Sequence, residues 1–345
     1  MTRESFKELT RRQRLFRFRL LADKALTAYG LAGAEIRLIQ YNENVIYGIF
    51  PAQPTYQVGS SGFYFPDRLI LRIHATSDEE IIVSELAWLD AMANEGQLPV
   101  PAPVRTLQGD RQIRVVTEGI PMGRVVSMLR WMKGRKLEKG LRLTHLQALG
   151  CTIARLHDFS ANWQPPEGFN RPTWDWNAQL GGTMFDVPMD ELVDSMPDKY
   201  REPFETVSSR VKAAMTDLGV GVGAFGLIHS DLYPENVLFN DGQAFPIDFE
   251  DCGYGYWIWD IAVALCTWAW ESDWEELRDS LYSGYEQIRH LPEKQWHLLD
   301  LFIAAQYATM LLWASVFIRH DPVRIDEYVP WRNESGERLL GFFNR

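Results

Sequence analysis

His229-Ser230-Asp231-Leu232-Tyr233-Pro234-Glu235-Asn236-Val237-Leu238-Phe239-Asn240-Asp241-Gly242-Gln243-Ala244-Phe245-Pro246-Ile247-Asp248-Phe249 is the stretch on which the reading of this chain turns. Two β-rich runs flank Asn240-Asp241-Gly242, and Asp-Gly between such runs signals a two-residue hairpin, because the tight turn needs residues that accept positive φ. With Asp241 and Gly242 as the turn, Asn240 pairs with Gln243 and the register brings Asn236 opposite Ile247. Asn236 and Asp248 then share one end of the hairpin. Strict pleating would send their side chains to opposite faces, but Asn236 lies where strand gives way to loop. Asp231 sits on the loop that feeds the hairpin.

Transfer of a phosphoryl group to a hydroxyl requires such a grouping. Oxygen ligands must hold a divalent metal against the phosphates, and a carboxylate must orient the attacking hydroxyl and accept its proton. Asp248 and Asn236 meet the first need as Mg2+ ligands, Asp231 the second, and His229 braces the loop. An isolated His-x-Asp is common and means little; the offset to Asn236 and the hairpin before Asp248 give it weight. Glu250 and Asp251 either extend the metal shell or are solvated loop carboxylates, and neither is counted among the ligands.

Upstream, residues 36–40 and 45–50 read as strands joined by Tyr41-Asn42-Glu43-Asn44. A loop with Pro51, Pro54, Gly59, Ser60, Ser61 and Gly62 follows, then a strand over residues 68–74. Residues 77–94 predict a helix capped by Ser77, with acidic residues in its first turn and Ile81, Ile82, Leu86 and Leu89 at helical spacing. Pro99, Pro101 and Pro103 stop it, and residues 111–117 resume β. After Val125 the chain turns helical, most clearly over residues 144–157. The expected fold class is therefore α+β: a β-rich lobe over residues 1–127 and a larger, mainly helical lobe over residues 128–345.

The totals agree with that division. A chain of 345 residues exceeds what one hydrophobic core usually serves. Its net charge of −11 argues against a partner that is nucleic acid. Cys151, Cys252 and Cys266 show no CxxC spacing, so reduced thiols and a cytoplasmic location are expected. The basic, amphipathic residues 11–21 read as an opening helix with its charged face in water. Residues 298–318 are long enough to span a bilayer but contain Asp300, Gln306 and Thr309, so a helix buried in the helical lobe, and no membrane, is expected.

The segment from His229 to Asp248 resembles the catalytic loop and metal-binding Asp of the protein-kinase-like superfamily. It is most similar to the aminoglycoside phosphotransferase and choline kinase branch, which includes homoserine-kinase-like members. Leu149-Gly150 through Ala154-Arg155-Leu156-His157 resembles the branch's helix after the hinge, and Trp259-Asp260-Ile261-Ala262 its buried Asp beneath the catalytic loop. No activation segment of the protein-kinase type is visible. The resemblance implies a kinase using ATP and Mg2+ on a small-molecule hydroxyl. A Ser/Thr protein kinase of the same fold, or a catalytically weak nucleotide-binding regulator, are the alternatives. It further implies Arg72 as the phosphate contact in place of the family's Lys, Glu85 as its helix partner, and Arg130 and Met132 as the adenine-facing hinge. The nucleotide loop would carry Asn44. Arg in place of Lys is a real departure, since it binds phosphate as a planar fork.

The acceptor is expected to be cationic, on three features: the net charge, the acidic run from Asp186 to Glu205, and the aromatic residues after Asp251. Among those aromatics, Tyr254 or Trp257 would supply a cation–π contact, while most of the cluster (Tyr256, Trp259, Trp268, Trp270) reads as core. His145 and His157 read as helix-surface or capping residues. For Arg72 the plainer reading is a surface strand residue paired with Glu79 or Glu80.

Overall fold

An opening helix, α1 (Arg11–Ala28), begins at Thr10, whose hydroxyl accepts from the Gln13 amide while the Gln13 side chain accepts from the Thr10 amide. This reciprocal cap satisfies two N–H groups that a helix start otherwise leaves over. Phe18, Leu21, Ala22, Ala25 and Leu26 are buried on one side of α1, in a core shared with the strands that follow. Those are β1 (Glu35–Tyr41), β2 (Val45–Phe50) and β3 (Tyr64–Ile73), followed by helix α2 (Glu79–Asn94) and strands β4 (Gln112–Val115) and β5 (Arg124–Met132). They form one antiparallel sheet in the order β1-β2-β3-β5-β4. β3 is its middle strand, and Leu69, Leu71 and Ile73 point into the core shared with α1.

These elements belong to the first of two compact units in the computed structural model, Met1–Arg135 with Pro165–Asn170; the second comprises Lys136–Gln164 and Arg171–Arg345. Residue 128 lies inside β5, and the first unit continues past it to Arg135. The structure describes residues 6, 8–53, 63–96, 98–137, 140–185, 188–320 and 324–342. Pro54, Gly59, Ser60, Ser61 and Gly62 of the predicted loop, and Asp186 of the acidic run, lie outside them.

One correction concerns the start of α2. Asp78, not Ser77, is the cap: its carboxylate accepts from the amides of Glu80 and Ile81. Both residue types cap well, so composition could not separate neighbours, and the helix starts at Glu79.

The second unit opens with α3 (Leu143–Asn162), then α4 (Trp176–Gln179), α5 (Met189–Asp194) and α6 (Asp198–Leu218). Short strands follow: β6 (Phe225–Ile228), β7 (Val237–Asn240), β8 (Gln243–Pro246) and β9 (Gly253–Tyr256). The chain ends in α7 (Trp257–Cys266), α8 (Trp274–Glu286), α9 (Glu293–Trp296), α10 (Leu299–His320) and α11 (Ile325–Phe342). α3 and α8 cross at backbone contact. A Cβ on Gly150 would run into the Leu281 carbonyl, and one on Gly284 into the Gln147 carbonyl. α10 is long and apolar enough to cross a membrane, yet 78% of its apolar window is buried inside the protein. It packs on α11, α7 and α6 as a core helix.

Candidate active site

The hairpin has the register its sequence implies. Asn240 pairs with Gln243, and Asp241 and Gly242 turn the chain with φ of 48° and 74°. One step beyond the ladder, the Ile247 amide donates to the Asn236 carbonyl at 2.8 Å. Asn236 ends a short 3-10 turn, Pro234–Asn236, so it leaves the pleat as a loop residue does. The hairpin is tied to α3 by the Thr152 hydroxyl, which donates to the Ala244 carbonyl.

Asp260 holds the loop below. It is fully buried on α7, and its carboxylate accepts from the His229 amide at 2.9 Å, the Ser230 amide at 2.6 Å and His157 Nε2 at 3.1 Å. His157 is therefore not a helix-surface residue. It is fully buried, with Tyr285 hydroxyl at 3.0 Å from Nδ1. Burial lowers its pKa more than Asp260 raises it. His145 does cap its helix, with Nδ1 accepting from the Arg142 amide.

His229 spans the loop and the hairpin. Its Nε2 donates to the Ile247 carbonyl at 3.1 Å, and Nδ1 accepts from the Asp231 amide at 3.3 Å. Those bonds require one neutral tautomer, and burial lowers the pKa of the ring in the same sense. Phe249 packs on the imidazole, with ring centroids 4.4 Å apart. Ser230 and Asp248 adopt φ of 73° and 65°. Non-glycine residues rarely take that conformation, and at functional sites it is held by the surrounding bonds. For Ser230 the bond is the one its amide donates to Asp260.

Asp231 and Asn236 meet directly. Asn236 Nδ2 donates to the Asp231 carboxylate at 2.6 Å and to its carbonyl at 3.0 Å. With Nδ2 used in this way, Oδ1 is the acceptor atom of the amide. Burial, with the charges of Asp251 and Asp248 nearby, pushes the Asp231 carboxyl up to about 8. Among the described residues no group of His, Cys, Asp and Glu side chains could hold a metal by itself. A carboxylate from Asp248 and an amide oxygen from Asn236 are hard oxygen donors. Two such ligands suit Mg2+ whose remaining positions are filled by phosphate and water.

In the first unit, Arg72 lies on β3 and Glu85 on α2. They are 3% and 2% exposed, and Arg72 Nη2 meets Glu85 Oε1 at 2.5 Å. The surface reading of Arg72 fails, and Glu79 pairs instead with Arg114. Asn44 Oδ1 accepts from the Ala75 amide, pinning the β1–β2 turn to the end of β3. Arg130 and Met132 are at the end of β5, opposite Leu69 and Tyr64.

Other residues matter that the sequence did not single out. Arg171, almost fully buried, donates to the carbonyls of Cys252 and Glu250, and Trp174 Nε1 donates to the Asp251 carbonyl. Together they fix the turn after Asp248. A cavity of about 160 Å³ opens beside Asp231, with Trp174, Tyr233, Trp259, Gln306 and Trp313 in its wall. Gln306 had a visible signal, an amide in the middle of an apolar helix, but nothing local ties it to Asp231.

The expected cation–π partners are elsewhere. Trp257 is fully buried against His157, with Arg289 over its ring, and neither Trp257 nor Tyr254 lines the cavity. The described residues of the acidic run do not line it either. Arg201 pairs with Asp194 and Asp198, and Arg319 with Glu191.

The profile of the phosphotransferase enzyme family (APH) matches residues 52–297. Amicoumacin kinase of Bacillus subtilis is 22% identical over 343 residues, covering 96% of this chain and 92% of the relative. A homoserine kinase of Nitrobacter winogradskyi is 25% identical over 234 residues, 66% of this chain and 65% of the relative. Among solved structures, a microcompartment-associated aminopropanol kinase superposes with a TM-score of 0.74 at 26% identity, covering 93% of this chain and 97% of that one.

Proposed function

This chain belongs to the phosphotransferase enzyme family and is a kinase that moves the γ-phosphate of ATP to a hydroxyl of a small molecule; we propose that Asp231 is its proton acceptor and that Asn236 and Asp248 hold Mg2+. The observation that carries this reading is the hydrogen bond of Asn236 to the Asp231 carboxylate, on a hairpin whose other strand ends at Asp248. In the transfer, the acceptor oxygen bonds to the γ-phosphorus as the bond from that phosphorus to the bridging oxygen breaks. ADP leaves with the electron pair, and the hydroxyl proton passes to Asp231. Mg2+, when bound, neutralises charge on the phosphates.

His229 and Asp260 hold the loop so that Asp231 keeps one orientation. In the first unit, Glu85 fixes the guanidinium of Arg72 for the phosphates, Arg130 and Met132 offer a backbone carbonyl and amide to adenine, and Asn44 orders the nucleotide loop. The crowding of Asp231, Asp248 and Asp251 supports a cationic acceptor, and three free thiols support cytoplasmic residence.

The test is ATP turnover by the full chain with a panel of hydroxylated acceptors, each product identified as its phosphate ester. Asp248→Ala should abolish metal-dependent transfer, because it removes the anionic metal ligand. Turnover at the parent rate in the folded variant would remove Asp248 from the mechanism.

A further inference from the structure

We propose that the cavity beside Asp231 is a subsite for a primary ammonium group, read by the side-chain oxygen of Gln306, and that it selects small amino alcohols without a carboxylate. The inference rests on the kinase reading above and narrows its acceptor.

Size is the first constraint. The cavity measures about 160 Å³. A cavity of about 150 Å³ takes a guest the size of benzene, whereas drug-sized ligands occupy about 300–1,000 Å³. A multi-ring acceptor would extend beyond that space. A two- or three-carbon alcohol with one amine can.

Polarity is the second constraint. Gln306 is 7% exposed, and its Nε2 donates to the Tyr233 hydroxyl at 2.5 Å. Its Oε1 is buried without a hydrogen-bond partner, although it belongs to the cavity wall. A buried acceptor of this kind is normally satisfied, and a donor on a molecule that enters the cavity would satisfy it. A primary ammonium brings three N–H groups. The indoles of Trp174, Trp259, Trp313 and Trp331 line the same space and favour a cation over a neutral guest. A quaternary amine would enjoy the rings but has no N–H for Gln306.

Charge is the third constraint. Asp231 and Asp251 line the cavity, and among the described residues no Lys, Arg or His does. The buried Nε1 of Trp313 also lacks a partner, but as a neutral donor it cannot offset a carboxylate. An acceptor bearing its own carboxylate, as a hydroxy amino acid does, would add an anion beside these two acidic side chains. The cavity therefore separates amino alcohols from hydroxy amino acids, although homoserine kinases are among the relatives.

The experiment compares ethanolamine, choline, ethylene glycol, homoserine and kanamycin as acceptors for the full chain with ATP and Mg2+. Ethanolamine should have the highest kcat/KM, by about tenfold or more. Gln306→Leu should raise its KM about tenfold with little change in kcat, and abolish the preference over choline. Gln306→Glu, nearly the same shape, should keep that preference and lower KM. Choline, homoserine or kanamycin as the best acceptor, or an unchanged KM in Gln306→Leu, would overturn the proposal. Calorimetric titration of ethanolamine onto the chain loaded with a non-hydrolysable ATP analogue separates the two readings. Gln306-dependent binding without phosphate transfer would sink the kinase mechanism and keep the subsite. Asp231-dependent transfer to homoserine would do the reverse.

Discussion

Arg72 and Glu85 leave water together, at 3% and 2% exposure, with their charged atoms 2.5 Å apart. Asp231, in the second unit, has the opposite company: its charged surroundings are Asp251, Asp248 and Glu235, and all of them push its carboxyl up. The first arrangement balances its charge inside the protein. It can hold a guanidinium in position before any nucleotide arrives. The second gathers like charges, which the proposed mechanism offsets with cations brought by the substrates. One region thus balances its own charges and fixes an orientation. The other gives up stability for chemistry, as strained and like-charged groups at functional sites do.

Asp231→Asn tests the acidic side of that contrast and should have the largest effect. Losing the proton acceptor should lower kcat by about 10²–10⁴-fold. The amide keeps an oxygen for the Asn236 hydrogen bond but cannot ionise. Without ligands the variant should therefore be at least as stable as the parent, and its advantage should grow as pH rises from about 4, where the unfolded carboxyl ionises, to about 8, where the folded one does, and level off above that. Thermal unfolding from mildly acidic to alkaline pH, beside steady-state kinetics, reads both. A variant that is slow and also less stable at alkaline pH would break the contrast.

The Arg72–Glu85 pair should behave the other way. Arg72→Ala leaves a buried carboxylate without its cation, and breaking a buried pair from one side costs about 3–5 kcal/mol. Arg72→Lys should keep part of the activity, since charge remains but the planar fork does not. The combination of Arg72→Met with Glu85→Leu removes both charges, and buried pairs replaced in this way often lose little stability. It should unfold near the parent's denaturant midpoint yet bind ATP weakly. A double variant that bound ATP as the parent does would leave the pair a purely structural role.

What could be read ahead of the structure divides along similar lines. The hairpin was legible because Asp241-Gly242 and its flanking strands are consecutive, and turn chemistry sets the register within a few residues. Arg72 and Glu85 were legible as strand and helix positions, but their burial depended on packing between separate elements. The Ser77–Asp78 choice failed because two good capping residues are adjacent. The cavity was the least visible. Trp174 is bonded to β9, Gln306 and Trp313 share α10 and Trp331 is on α11, and only tertiary packing brings them beside Asp231. His157 is an intermediate case. Its position was noted from the helix pattern, but the partner that buries it, Asp260, lies on α7.

The smallest expected effect lies beside Arg72. His74 is on the same strand, 1% exposed, with Nε2 at 2.9 Å from the Ser127 hydroxyl. Burial, and then the charge of Arg72, hold its pKa well below the ordinary value. The folded chain therefore keeps the ring neutral. The unfolded chain takes up a proton as pH falls below about 6.5, the ordinary histidine value. More protons bound in the unfolded state means stability is lost on acidification. The loss is at most about 1.4 kcal/mol per pH unit for one such group and absent above about pH 7, where both states are neutral. His74→Gln keeps a polar partner for Ser127 and cannot protonate, so it should flatten the dependence between about pH 6.5 and 5. His157 in the second unit has Asp260 pulling its pKa back up against burial, so His157→Gln should flatten the same curve less. Denaturant unfolding across that range for the parent and both variants gives the slopes. Equal slopes in all three would show that neither buried histidine carries the acid dependence.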